Sequence, residues 1–213
     1  MRFIIFAVCL AGFTIRSNAQ LKIGVKAGIN ISNQVNPFIN SFSIKPSYSH
    51  GQSITRLNAA LFTQFPLFNE FLLRVQLGLA GQGYELPTAY DQQGDQVSPA
   101  QKFNLGYLSL PVQLIYPVKL KAATLWIGGG PFLAMLVDGH VKMPSSTEKI
   151  AIGYDNDSQF RPFDFGITPT VCLKLNNGFL AGVDYNLGLA DVSHQEGSNR
   201  NVSWSFYLGY IFK

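Results

Sequence analysis

Charge is scarce in this 213-residue chain: Asp, Glu, Lys and Arg make up 13% of it, against about a quarter in an ordinary soluble domain. A surface wet on all sides is hard to cover from that supply. Basic runs are missing too. The sixteen Lys and Arg are scattered, so the formal net charge of +4 marks no face for nucleic acid, and none is expected as a partner. Long apolar runs are confined to Phe3–Phe13, too short to cross a bilayer as a helix. Arg2 precedes that run and Ser17-Asn18-Ala19 follows it, the order of a secretory signal over residues 1–19, cut before Gln20. The competing reading is a buried N-terminal helix. Cys9 lies inside the apolar stretch after Phe6-Ala7-Val8, not at a lipid-modified cleavage position. Loss of the signal removes Cys9, Arg2 and Arg16, which leaves Cys172 without a disulfide partner and a formal charge of +2. With no other run near the ~18 residues of a spanning helix, the remaining domain, residues 20–213, can enter a membrane only as a closed sheet.

What the chain does have is alternation. From Leu21 to Ser32, Leu21, Ile23, Val25, Ala27, Ile29 and Ile31 interleave with Lys22, Gly24, Lys26, Gly28, Asn30 and Ser32. A period of two sends the two sets to opposite faces of a strand. Seven more segments repeat it: about 54–65, 71–84, 103–116, 124–137, 163–175, 179–189 and 202–212. The fourth changes phase, because Phe103, Leu105 and Tyr107 share a face and then Leu108, Leu110, Val112, Leu114 and Tyr116 do. A one-residue slip beside Pro111 is the expected cause, and Pro131 and Pro169 should mark bulges as well, since proline cannot donate to a ladder. Gly128-Gly129-Gly130-Pro131 blurs the fifth segment. The sequence thus predicts an all-β protein, an eight-stranded antiparallel up-and-down barrel.

Connections 33–52, 85–102, 138–162 and 190–200 are long and polar, while 66–70, 117–121 and 176–178 are short. Strict alternation puts every long loop at one end, the asymmetry of transmembrane barrels with long outer loops and short periplasmic turns. The polar face is mostly Gly, Asn, Ser, Thr and Gln. A soluble barrel or sandwich turning that face to water would need it dense in Lys and Glu. Small polar side chains suit a narrow bore instead. On the apolar face, Phe103, Phe163, Phe165 and Trp204 lie at the loop end, and Phe65, Tyr116, Phe179, Tyr210 and Phe212 at the turn end. Two aromatic girdles flanking Leu and Val mark a wall facing lipid, and the expected location is the cell outer membrane. Outer-membrane lipid and the barrel-assembly machinery are the partners that location implies.

Four stretches resemble PorT-type outer-membrane barrels of the Bacteroidetes: residues 20–30 (QLKIGVKAGIN), Tyr107-Leu108-Ser109-Leu110-Pro111-Val112, Gly128-Gly129-Gly130-Pro131-Phe132-Leu133, and Tyr207-Leu208-Gly209-Tyr210-Ile211-Phe212. The resemblance implies an eight-stranded outer-membrane barrel without catalytic motif or cofactor. It also implies an accessory role beside the components of a protein secretion system.

Candidate chemistry is thin. Lys22, Lys26, Arg74 and Lys174 share the predicted bore with Asp164 and Asp184. Pairing with one another and with Asn58, Gln76 and Asn186 would fill a space just wide enough for side chains. The functional alternative is a narrow solute pore for anions. His50, His140 and His194 fall in long loops, with Ser53 and Ser193 near two of them, as an outer-leaflet lipid-modifying enzyme would need, yet no compact metal-ligand spacing is present. Asp91, Asp95, Asp155 and Asp157 lack calcium-loop spacing. The triple glycine precedes no helix that could hold a phosphate. Cys172 reads as a small inward filler. The expectation is a non-enzymatic barrel with no cofactor and no metal, acting through loops or a partner.

Overall fold

Alternation determines what each strand can face, and antiparallel pairing determines where it stops. The computed structural model describes residues 21–35, 51–91, 93–155, 157–193 and 199–212. Eight strands form the wall: β1 (Lys22–Val35), β2 (Gln52–Pro66), β3 (Leu72–Leu86), β4 (Gln101–Lys119), β5 (Ala123–Gly129 continued by Pro131–Lys142), β6 (Phe163–Ile167 continued by Thr170–Leu175), β7 (Phe179–Gly188) and β8 (Arg200–Ile211). Each pairs antiparallel with the next. The ring closes where β1 pairs with β8, from Gly24↔Ile211 to Val35↔Arg200. Closure leaves no sheet edge, so no edge strand's row of backbone donors and acceptors has to find water.

Residues 1–19, the expected signal with Cys9, lie outside the described residues, as do His50 and His194. Short turns join β2 to β3, β4 to β5 and β6 to β7. At the last, Gly178 has φ 96°, a conformation glycine reaches without a Cβ penalty. At the opposite end a small hairpin pairs Ala89–Tyr90 with Gln96–Ser98, and Thr147–Lys149 lies against the end of β5.

The proline expectations need correction. Register runs unbroken past Pro111, from Val75↔Val112 to Gly78↔Ser109 against β3, although Gln76 and Leu77 drop out of the ladder beside the missing donor. It also continues across Pro131 and Pro169: Leu114↔Gly129 and Pro111↔Phe132 share one register, as do Gly166↔Phe132 and Thr170↔Gly128. Thr168 N–H donates to the Gly130 carbonyl at 2.8 Å and holds the two interrupted strands together. The register shifts lie elsewhere, between Ser53 and Asn58 and at Gly106/Tyr107.

The phase change in β4 is therefore not a slip. Odd residues face the axis throughout: Phe103, Leu105 and Tyr107 are buried, and so are Gln113 and Ile115. What changes along the strand is the chemistry of the inward face, not its parity.

Orientation follows from exposure. Leu57 is 78% exposed and Leu208 70%, whereas Asp184 and Arg74 are buried. Hydrocarbon covers the outside of a ring with a polar centre, as a bilayer requires. Of the nine girdle aromatics, Phe163, Phe165 and Trp204 are exposed at the loop end and Tyr116, Phe179 and Phe212 at the turn end, with Phe65 and Tyr210 half-buried on the same outer face. Phe103 is the exception. Its ring stacks on Tyr84 inside the bore, centroids 4.6 Å apart, and tilts against Phe160.

Candidate functional site

Among the described residues, polar side chains concentrate in the bore, and it is layered. Its middle is a polar belt. Lys26 Nζ lies 2.6 Å from Asp184 Oδ2, both side chains nearly buried, and over the Tyr207 ring at 4.4 Å. Thr170 Oγ1 donates to the other carboxylate oxygen of Asp184. Asn58 Nδ2 and Ser205 Oγ both donate to Asn30 Oδ1, and Asn30 Nδ2 donates to the Gly81 carbonyl. Asn186 Nδ2 donates to Ser203 and Ser205, and its oxygen accepts from Thr168. Gln76 Nε2 donates to Gln113 Oε1 at 2.6 Å. Most buried polar groups in folded proteins are paired in this way.

Apolar clusters cap the belt at both ends. At the turn end Phe62, Ile115, Trp126, Cys172, Leu180, Tyr207 and Ile211 pack together. At the loop end Tyr84, Phe103, Leu105, Tyr107, Phe132 and Leu136 are joined by Ile150, Phe160 and Val192, which the long loops fold inward. The space left between, beside Lys26, Asn58, Gln76 and Asp184, is about 50 Å³, room for little more than a water or two.

Glycine makes the caps possible. Gly24 pairs with Phe62, Gly182 with Tyr207 and Gly166 with Phe132 across the ladder. A Cβ on these glycines would sit 2.3, 2.5 and 2.7 Å from the opposite ring. The small residues of the inward face are thus the seats of its large ones.

Of the proposed bore residues, Lys26, Asp184, Asn58, Gln76 and Asn186 meet in the belt. The other four differ in partner or place. Arg74, 1% exposed, pairs with no carboxylate among the described residues; its guanidinium lies 5.2 Å from the Phe62 ring and 4.8 Å from the Trp126 ring, a cation–π arrangement. Asp164 meets no cation among the described residues: Asn201 Nδ2 donates to it at 2.9 Å and to the Tyr107 hydroxyl at 3.0 Å. Lys22 is exposed, so the expectation that it fills the bore is corrected. It stands with Lys174 at the turn-end mouth, because both lie at the last inward position before their strands leave the wall. The ladder partners Asn30, Thr168, Thr170, Gln113, Ser203, Ser205 and Asn201 were missed as site residues. Strand parity alone could have found most of them.

At the loop end, His140 Nδ1 lies 3.4 Å from Asp138, and Ser193 is buried. Asp91 uses a carboxylate oxygen to accept the backbone N–H groups of Gln93 and Asp95, which makes it a turn-former. Among the described residues no group of three His, Cys, Asp or Glu side chains is placed to hold a metal. Cys172 is buried in the turn-end cap.

The sequence family described as outer membrane protein beta-barrel domain matches residues 16–194. No curated protein sequence matches. Among solved structures, Neisserial surface protein A is 12% identical with a TM-score of 0.48, covering 89% of this chain and 97% of its own. OprG from Pseudomonas aeruginosa is 10% identical at 0.46, covering 90% and 95%. Outer membrane protein W of E. coli is 10% identical at 0.45, covering 92% and 100%. The fold assignment rests on the strand ring and the family, not on these matches.

Proposed function

The chain belongs to the outer membrane protein beta-barrel domain family, and from that premise we propose that it is a plugged, non-enzymatic barrel that acts through contacts at its two ends. One observation carries this reading: the polar belt is sealed above and below by apolar side chains. A conducting path needs continuous water, and a pocket of about 50 Å³ between two greasy caps offers none. The wall faces outer-membrane lipid, the barrel-assembly machinery inserts it, and the contact partners are components of a secretion machinery.

Planar-bilayer recording tests the plug. The purified barrel should give no stable stepwise current, and a reproducible single-channel step would replace this reading with a solute pore. The contact role is read by deleting the gene and comparing exported proteins. Loss of a defined secreted set supports it, and an unchanged set refutes a secretion role. Replacing His50, His140 and His194 each by Ala should leave the lipid A mass spectrum unchanged, whereas a shifted acyl pattern would make the protein an outer-leaflet enzyme.

A further inference from the structure

Below the turn-end cap the bore opens into a vestibule of about 450 Å³, within the size range of small-molecule sites. Lys22 from β1, Lys119 from β4 and Lys174 from β6 line it, with Gln64, Thr124 and Trp126. Lys22 and Lys174 reach the same vestibule from separate strands. Among the described residues, the only carboxylate paired with any of the three is Glu70, 3.5 Å from Lys119. Among the described residues, three cations against one anion leave two positive charges uncompensated. Gln64 is 3% exposed and its amide oxygen has no partner; rotated about its last bond, the amide offers N–H donors instead. Thr124 adds a hydroxyl.

Lysines around a barrel mouth commonly reach outward to lipid headgroups. Lys22 and Lys174 do not share that geometry, because they continue the inward-facing rows of Gly24 and Lys26 on β1 and of Thr170 and Cys172 on β6. Two excess charges converging from separate strands suit a phosphate monoester, which carries about −1.5 to −2 at neutral pH, better than a single carboxylate. Trp126 and Ile115 close the space above, so whatever enters stops there.

We propose that this vestibule binds a phosphate monoester presented from the periplasmic side, either on a soluble molecule or as the terminal monoester headgroup of an inner-leaflet phosphatidic acid. The test uses the mature barrel in a phosphate-free maltoside detergent, titrated calorimetrically with sodium pyrophosphate at low salt. Saturable one-site binding that weakens with added sodium chloride is expected. The double variant Lys22→Gln/Lys174→Gln should bind about tenfold more weakly or worse. Lys102→Gln/Lys149→Gln, at the loop end, should bind as the parent does, and the heat-dependent gel shift checks that both variants are folded. Repeating the titration in nanodiscs that contain phosphatidic acid separates the sources: lost binding means that headgroups already occupy the site, and retained binding means a soluble ester. Absence of saturation in detergent, equal affinity in the Lys22/Lys174 variant, or equal affinity for succinate overturns the proposal.

Discussion

Replacing Asp184 by Asn should reveal how the belt is held. Lys26 and Asp184 form a 2.6 Å ion pair with almost no solvent access. Removing one partner of a buried pair costs about 3–5 kcal/mol, because the surviving charge is left uncompensated. Asn keeps the shape, and its one amide oxygen can accept from Lys26 while its NH2 donates to the Thr170 hydroxyl, so the low end, about 3 kcal/mol, applies. Lys26→Met/Asp184→Asn removes the stranded ammonium as well. It should recover at least half of that loss, since an apolar replacement for a buried pair is often near neutral. The assay is urea unfolding from lipid vesicles, followed by tryptophan fluorescence and by gel mobility of unboiled samples. A coupling energy below about 0.5 kcal/mol, the limit for independent sites, would mean that the two side chains do not share a buried pair and that the belt is open to water.

Other expectations follow from the layering. Phe103→Ala should cost about 3–5 kcal/mol, as buried aromatic truncations do, whereas Phe165→Ala on the outer wall should cost well under half as much; equal losses in urea unfolding would place both rings in one environment. Gly182→Ala puts a methyl 2.5 Å from the Tyr207 ring, and overpacking of that kind costs about 1–3 kcal/mol; an unchanged unfolding midpoint would remove the glycine-seat argument. The chain has two tryptophans, Trp204 on the lipid face and Trp126 inside. Brominated lipid should quench the Trp126→Phe variant strongly and the Trp204→Phe variant weakly, and the reverse order would turn the barrel inside out. Unboiled mature protein should migrate ahead of boiled protein on a gel, and comigration would argue against a closed ring.

Much of this was legible because a β-strand has a period of two and a bilayer rewards only one way of using it. Leu57, Leu61, Leu77 and Leu208 could be assigned to the outside, and Lys26 and Asp184 to the inside, by counting alone. The same rule misled at β4. Phe103, Leu105 and Tyr107 were placed on the lipid wall because apolar was equated with outward, and a slip at Pro111 was then needed to restore the count. Strict parity would have placed them inside. The identity of a residue says what it prefers to touch, and the apolar rings of a plug satisfy that preference as fully as lipid does. Partners were less legible still. Arg74 lies between two rings, and Asp164 is held by an asparagine far along the chain, because strands distant in sequence meet across a bore only one or two side chains wide.

Local alternation, loop lengths and the shortage of charge were enough to determine a closed membrane wall, its strand count and its orientation, since each depends only on neighbours along the chain and on the absence of water in a bilayer. Whether the bore is open, which charges pair, and where unbalanced cations collect were decided only by closure. Bending the sheet into a ring brings β1 against β8 and aims the inward side chains of every strand at one axis. Their final contacts are then a property of the circle rather than of any single strand.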